Sequence, residues 1–162
     1  MTTMFHQYYL NDDPFNKNNN RNLKNTQRHT FNCGGYALGT FSWYCPHDEE
    51  DEDCFWGYNY GFRNREEAWT KTMFAVSKMV LDFGGNLRMI KTMEQLHRDE
   101  RVVAFRLSED GDFHYVRREA NGRWYHKRGR SPEICPMTKV EVFSDCWCHR
   151  YNGPMVLLAI KI

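Results

Sequence analysis

The spacing of hydrophobic positions along this 162-residue chain changes period once, near residue 100. Between Arg65 and Phe83, the residues Trp69, Met73, Val76, Val80 and Phe83 recur at alternating steps of four and three, which predicts one helix with a single buried stripe. Asn64 can cap its start with Glu67 three residues on, and Gly84-Gly85 supplies a left-handed stop. Earlier, Cys33 to Ser42 reads as a first helix capped by Asn32, with Leu38 and Phe41 inward, although Gly34 and Gly35 weaken it. A short helix is expected over Thr92 to Arg98. From Arg101 the period is two, with Val103, Phe105 and Leu107 alternating against Ala104 and Arg106. Strands are read at Arg101 to Leu107, Asp112 to Glu119, Arg123 to Arg128, Val140 to Phe143 and Met155 to Ile162, the last apolar enough to be central. Helices first and antiparallel strands afterwards predict an α+β fold, N-terminal helices packed on an antiparallel sheet, in one domain over 1–162.

Two stretches fall outside that pattern. Residues 11–32 hold eight asparagines with few apolar anchors, so 1–31 reads as an irregular N-terminal arm. Asp48 to Asp53 is an unbroken run of carboxylates, the centre of an acidic loop insertion over 45–60.

Composition narrows the function classes. With Lys+Arg 22 against Asp+Glu 21 there is no global charge to attract a polyanion. The longest apolar run, Met155 to Ile160, falls far short of the roughly 20 residues that span a bilayer, so no membrane association is expected. Met1 to Leu10 is polar and aromatic, without the order of a signal peptide, which predicts a cytoplasmic, reducing location. The six cysteines then need not be disulfides, and none forms a paired CxxC knuckle.

Two segments carry candidate chemistry. In Asn32-Cys33-Gly34-Gly35-Tyr36-Ala37-Leu38, a cysteine in the first turn of a helix sits where unpaired amides and the dipole favour a thiolate. Gly34 and Gly35 would let a substrate backbone approach. The second segment is a hairpin, Asp112 to Glu119 and Arg123 to Arg128, with His114 on one arm and His126 on the other. A two-residue Asn121-Gly122 loop would pair 114 with 129 and separate the histidines, whereas a three-residue loop with Gly122 left-handed pairs 116 with 126 and sets both on one face. In that second register His126 can orient His114 as a general base for the thiol.

The Cys33 segment resembles the D-C-S-G-F-V pattern of NlpC-type cysteine peptidases, a branch of the papain-like superfamily. His114, the Asn121-Gly122 turn and His126 are similar to that branch's base strand, turn and third catalytic histidine. The resemblance implies a papain-like fold and a cysteine hydrolase cleaving amide bonds in a peptide, protein or peptidoglycan-peptide substrate. It implies Cys33 as nucleophile, His114 as base and His126 as the third residue, with a thioester intermediate and no cofactor. Gln27, six residues before Cys33, stands at the spacing papain uses for its oxyanion-hole glutamine, and Trp124 joins Gly34 and Gly35 as a substrate-binding residue.

Other readings use the same residues. Deamidation, transglutamination and acyl transfer share the thioester, and only the pocket selects among them. Cys45, Cys54, Cys135, Cys146, Cys148 and His149 offer soft ligands for a structural zinc, but in the wrong spacing, so no metal is expected. Arg117, Arg118, Arg123, Lys127, Arg128 and Arg130, with Trp124 and Tyr125, form a basic, aromatic hairpin that a nucleic-acid or protein-binding module could use; nucleic acid is the less favoured partner.

Overall fold

The computed structural model of the protein describes residues 31–40, 42–46, 60–129, 131 and 133–161. Gln27, the acidic run 48–53, Cys54 and Arg130 lie outside them, as does most of the arm and of the insertion. The architecture is mixed α+β: a six-stranded antiparallel sheet with helices on it. The strands are β1 (Leu87–Ile90), β2 (Glu100–Leu107), β3 (Phe113–Arg118), β4 (Trp124–Lys127), β5 (Ile134–Met137) and β6 (Val156–Lys161), in the order β1-β6-β2-β3-β4-β5. Among the described residues the helices are α1 (Cys33–Ala37), α2 (Arg65–Phe83) and α3 (Lys139–Val142). As its apolar run requires, β6 is interior, paired with β1 on one side and β2 on the other.

Strand alternation divides the core in two. One face carries Val103, Phe105, Leu107, Phe113, Tyr115, Leu158 and Ile160, which pack against α1 and α2. The opposite face carries Val102, Ala104, Val116, Trp124, Leu157 and Ala159, closed over by Val142 of α3 and Trp147. A buried network ties α1 to the hairpin: the Tyr36 hydroxyl donates to Glu119 Oε1 at 2.9 Å, and Arg117 Nε lies 2.7 Å from the same oxygen.

Helix α2 has the expected ends, with Asn64 Oδ1 accepting from the Glu67 amide at 2.8 Å. Its buried face is turned from the expected one, running through Ala68, Thr72, Ala75, Val76, Met79 and Phe83, while Trp69 and Val80 are exposed. The small residues Ala68, Thr72 and Ala75 let the helix axis approach the aromatic-covered sheet, with Met79 and Phe83 also inward, while Trp69, Phe74, Val80 and Leu81 are left outside. The first helix stops at Ala37 rather than Ser42, with Gly39 left-handed at φ 74°. Residues 140–143 are not a strand. Thr138 and Glu141 form a reciprocal capping box that starts α3 there instead. Residues 92–98 contain only the 3₁₀ turn Met93–Gln95.

The β3–β4 turn fixes the histidine register. Arg117 pairs with Tyr125 and Arg118 with Trp124, so 120–122 is a three-residue loop, with Gly122 at φ 81°. The second of the two expected registers is therefore the observed one, and His114 and His126 share a face.

Candidate functional site

His114 Nε2 and His126 Nδ1 are 2.8 Å apart, a hydrogen bond between two buried imidazoles. The Tyr151 ring stacks on His114 at 4.9 Å, and Trp147 meets it edge-on at 6.2 Å. Burial is the main cause that drives both histidines down, His114 to about 3 and His126 to about 4, so both are neutral at pH 7. Beyond His126 opens a pocket of about 370 Å³, lined also by Arg128, Glu141, Cys146, Trp147, Cys148 and His149.

The wall carrying the thiols is a tight loop. Trp147 and Tyr151 pair through two backbone hydrogen bonds of 3.0 and 2.9 Å, and the Trp147 indole donates to the Val142 carbonyl at 2.8 Å. Between them Cys148 and His149 both take left-handed backbone, at φ 55° and 56°. Two successive non-glycine residues there cost energy, a feature that clusters at functional sites. Cys148 is exposed; partial desolvation pushes its thiol up, opposed by the charge of Arg128.

Cys33 does not join this site. Its helix packs on the face that carries Tyr115, whereas His114, one residue away on β3, points with Val116 to the other face. The Cys33 sulfur takes a backbone hydrogen bond from Tyr115, and none links it to either imidazole. The expected Cys33, His114 and His126 triad is thus reduced to the histidine pair. Nor is Cys33 poised as a thiolate. It is 4% exposed, and burial pushes its thiol up to about 12 despite the nearby Tyr115 amide. A five-residue helix supplies too little dipole to offset desolvation of that size.

The expected substrate contacts change in the same way. A Cβ on Gly35 would sit 1.8 Å from the Ser42 carbonyl oxygen, and one on Gly34 would meet Tyr44 O at 3.0 Å and the Tyr115 ring at 3.1 Å. These glycines admit the chain's own 42–44 segment, which Asn32 clamps through hydrogen bonds to both backbone groups of Tyr44. Trp124 is buried and packs edge-on against Phe143 at 5.9 Å, so it is core rather than a substrate or stacking surface.

The basic hairpin is also partly internal. Arg117 is held by Glu119, and Lys127 Nζ donates to the carbonyls of Phe31 and Gly129 at 2.5 and 2.6 Å. Cys135, Cys146, Cys148 and His149 do not converge into a ligand cluster. Among the described residues only His97, Asp99 and Glu100 come that close, and there Glu100 Oε1 already accepts from Arg88 Nη2 and the His97 amide, both at 2.7 Å.

The chain matches no known protein family, curated protein or solved structure. Among the described residues no helix is long and apolar enough to cross a membrane. The site residues that sequence reasoning missed are Cys148 and its neighbours. The compact Cys146-Trp147-Cys148-His149 run was visible, but its place opposite the histidine pair depends on how 138–151 folds back over the sheet.

Proposed function

We propose that the protein is a thiol-dependent acyl-transfer enzyme, a cysteine hydrolase when water is the acceptor. Cys148 is its nucleophile, His126 its general base, and His114 the residue that orients the base. The observation that carries this reading is the 2.8 Å bond between His114 and His126 directly behind a pocket lined by Cys148. With Nδ1 of His126 turned to His114, its Nε2 is the nitrogen left for the pocket. A proton on His126 Nδ1, donated to His114 Nε2, makes Nε2 the basic atom and supports the imidazolium once it forms.

The charge states select general-base catalysis over a preformed ion pair. Both imidazoles are held neutral and the thiol is held protonated, so the sulfur must lose its proton as it attacks. Sγ adds to the acyl carbonyl carbon while the proton passes to His126. The imidazolium then protonates the leaving amine as the C–N bond breaks, leaving a thioester. Water, deprotonated by His126, hydrolyses it, or an amine takes the acyl group.

The substrate class is an amide within a peptide or protein. The layering of helices on an antiparallel sheet fits the papain-like, NlpC-type architecture in outline, with the thiol delivered from a different segment. Intact mass after a peptide thioester probe at pH 7.5 tests the reading. One adduct is expected on wild type and Cys33→Ala, none on Cys148→Ala, and acylation about 10²-fold slower on His126→Ala. Label on Cys33, or acylation indifferent to His126, overturns it.

A further inference from the structure

A second concavity of about 480 Å³ lies beyond the thiol pocket, lined by Arg63, Asn64 and Arg65 at the start of α2, by Arg106 on β2 and by Asn152 and Gly153. Arg106 is 5% exposed, its guanidinium carbon stands 4.9 Å from the centre of the Trp147 ring, and its Nη2 donates to the Ser144 carbonyl. Its Nε and Nη1 have no hydrogen-bond partner. A buried guanidinium without a carboxylate leaves two desolvated donors unsatisfied, a cost that native structures rarely carry without use.

The geometry points to an oxyanion-binding subsite here, in which Arg106 grips a carboxylate or phosphate through one of its unpartnered donors, Nε or Nη1, together with the second N–H of Nη2. The bidentate fork suits either group, and the 19-residue α2 turns its positive end toward the same space. Two carboxylates also line the concavity, Glu109 and Asp145. Glu109 Oε1 is taken by the Asn152 amide at 2.7 Å. Asp145 acts on Arg106 through its field, with no hydrogen bond between them. Three arginines stand against these two acids in the lining, with Arg63 Nε also 3.5 Å from Glu67 Oε2. This inference stands apart from the thiol chemistry, since it uses neither Cys148 nor the histidines.

The test is titration of the full chain with inorganic phosphate and, separately, N-acetylglycine at constant ionic strength, read by calorimetry. Saturable binding of one or both is expected below about 10 mM, ten times the constant of a weak millimolar site. Phosphate alone would identify phosphorylated ligands, and N-acetylglycine alone would identify carboxylates. Arg106→Gln should weaken binding at least about 10-fold, with Arg106→Lys intermediate because it keeps charge but loses the fork. Should Arg106→Gln fail to fold, the exposed double variant Arg63→Gln/Arg65→Gln must weaken binding severalfold. No saturable binding by wild type, a folded Arg106→Gln that binds equally, or an unaffected double variant each overturns the subsite.

Discussion

At the scale of single residues, the local sequence around Cys33 and its environment point in opposite directions. A cysteine behind an asparagine cap reads as an activated thiol, yet it is buried in a core that includes Tyr115 of β3, a strand not encoded by the turn Cys33 starts. With a thiol pushed up to about 12, the thiolate is roughly 10⁴-fold scarcer than the thiol at pH 7.5. Iodoacetamide should therefore alkylate exposed Cys148 and leave Cys33 unmodified in the native protein, which peptide mapping can read directly. Cys33→Ala should cost about 1–2 kcal/mol in urea unfolding, the size of a small packing defect. Rapid native-state alkylation of Cys33 would mean that this thiol is not sealed.

At the scale of elements, what was legible is what depends on near neighbours. The ends of α2 follow from Asn64 and Gly84, and the histidine register follows from the turn chemistry of 120–122. Gly122 holds that register with φ 81°, so Gly122→Ala should lower the Tm by roughly 2–4 °C, the shift expected from about 1 kcal/mol in a chain this size. An unchanged melting curve would show that the loop does not need a left-handed residue. Elements set by distant partners were not legible. The stripe of α2 is turned so that Ala68, Thr72 and Ala75 join Val76, Met79 and Phe83 against the aromatic-covered sheet. Strand β5 contains Pro136, which argues against a strand until its place at the sheet edge is known, where a missing amide costs nothing. The stretch 140–143 alternates like a strand, but the Thr138–Glu141 box satisfies its amides locally and wins.

At the scale of the whole molecule, the sheet buries a layer on each side, and the second layer encloses an ionisable pair where an apolar core would serve stability better. That choice has a pH signature. An unfolded histidine titrates near 6.5, while His114 and His126 take up protons in the folded state only near 3 and 4. Folded stability is therefore complete above about pH 6.5 and falls as the solution is acidified toward those lower values, because the unfolded chain binds the extra protons. Each such proton steepens the loss by about 1.4 kcal/mol per pH unit, so two buried histidines remove as much as about 5 kcal/mol by pH 4.5. The carboxylates held low by their partners, Glu100 beside Arg88 and Asp110 beside Ser108 and Arg150, act in the same direction but over a more acidic window, from near their ordinary values of 4.5 and 3.8 downward. The interval between pH 6.5 and 5 thus reports on the histidines. Urea midpoints measured across it should slope steeply in wild type and flatten in His114→Gln/His126→Asn, even if that variant is less stable at pH 7.5. Because the two rings share a hydrogen bond they titrate as a unit, and either single substitution should remove part of the slope rather than half of it. A wild-type midpoint flat from pH 7 to 5 would mean that the pair is solvated or already charged, and the neutral base on which the proposed chemistry depends would be gone with it.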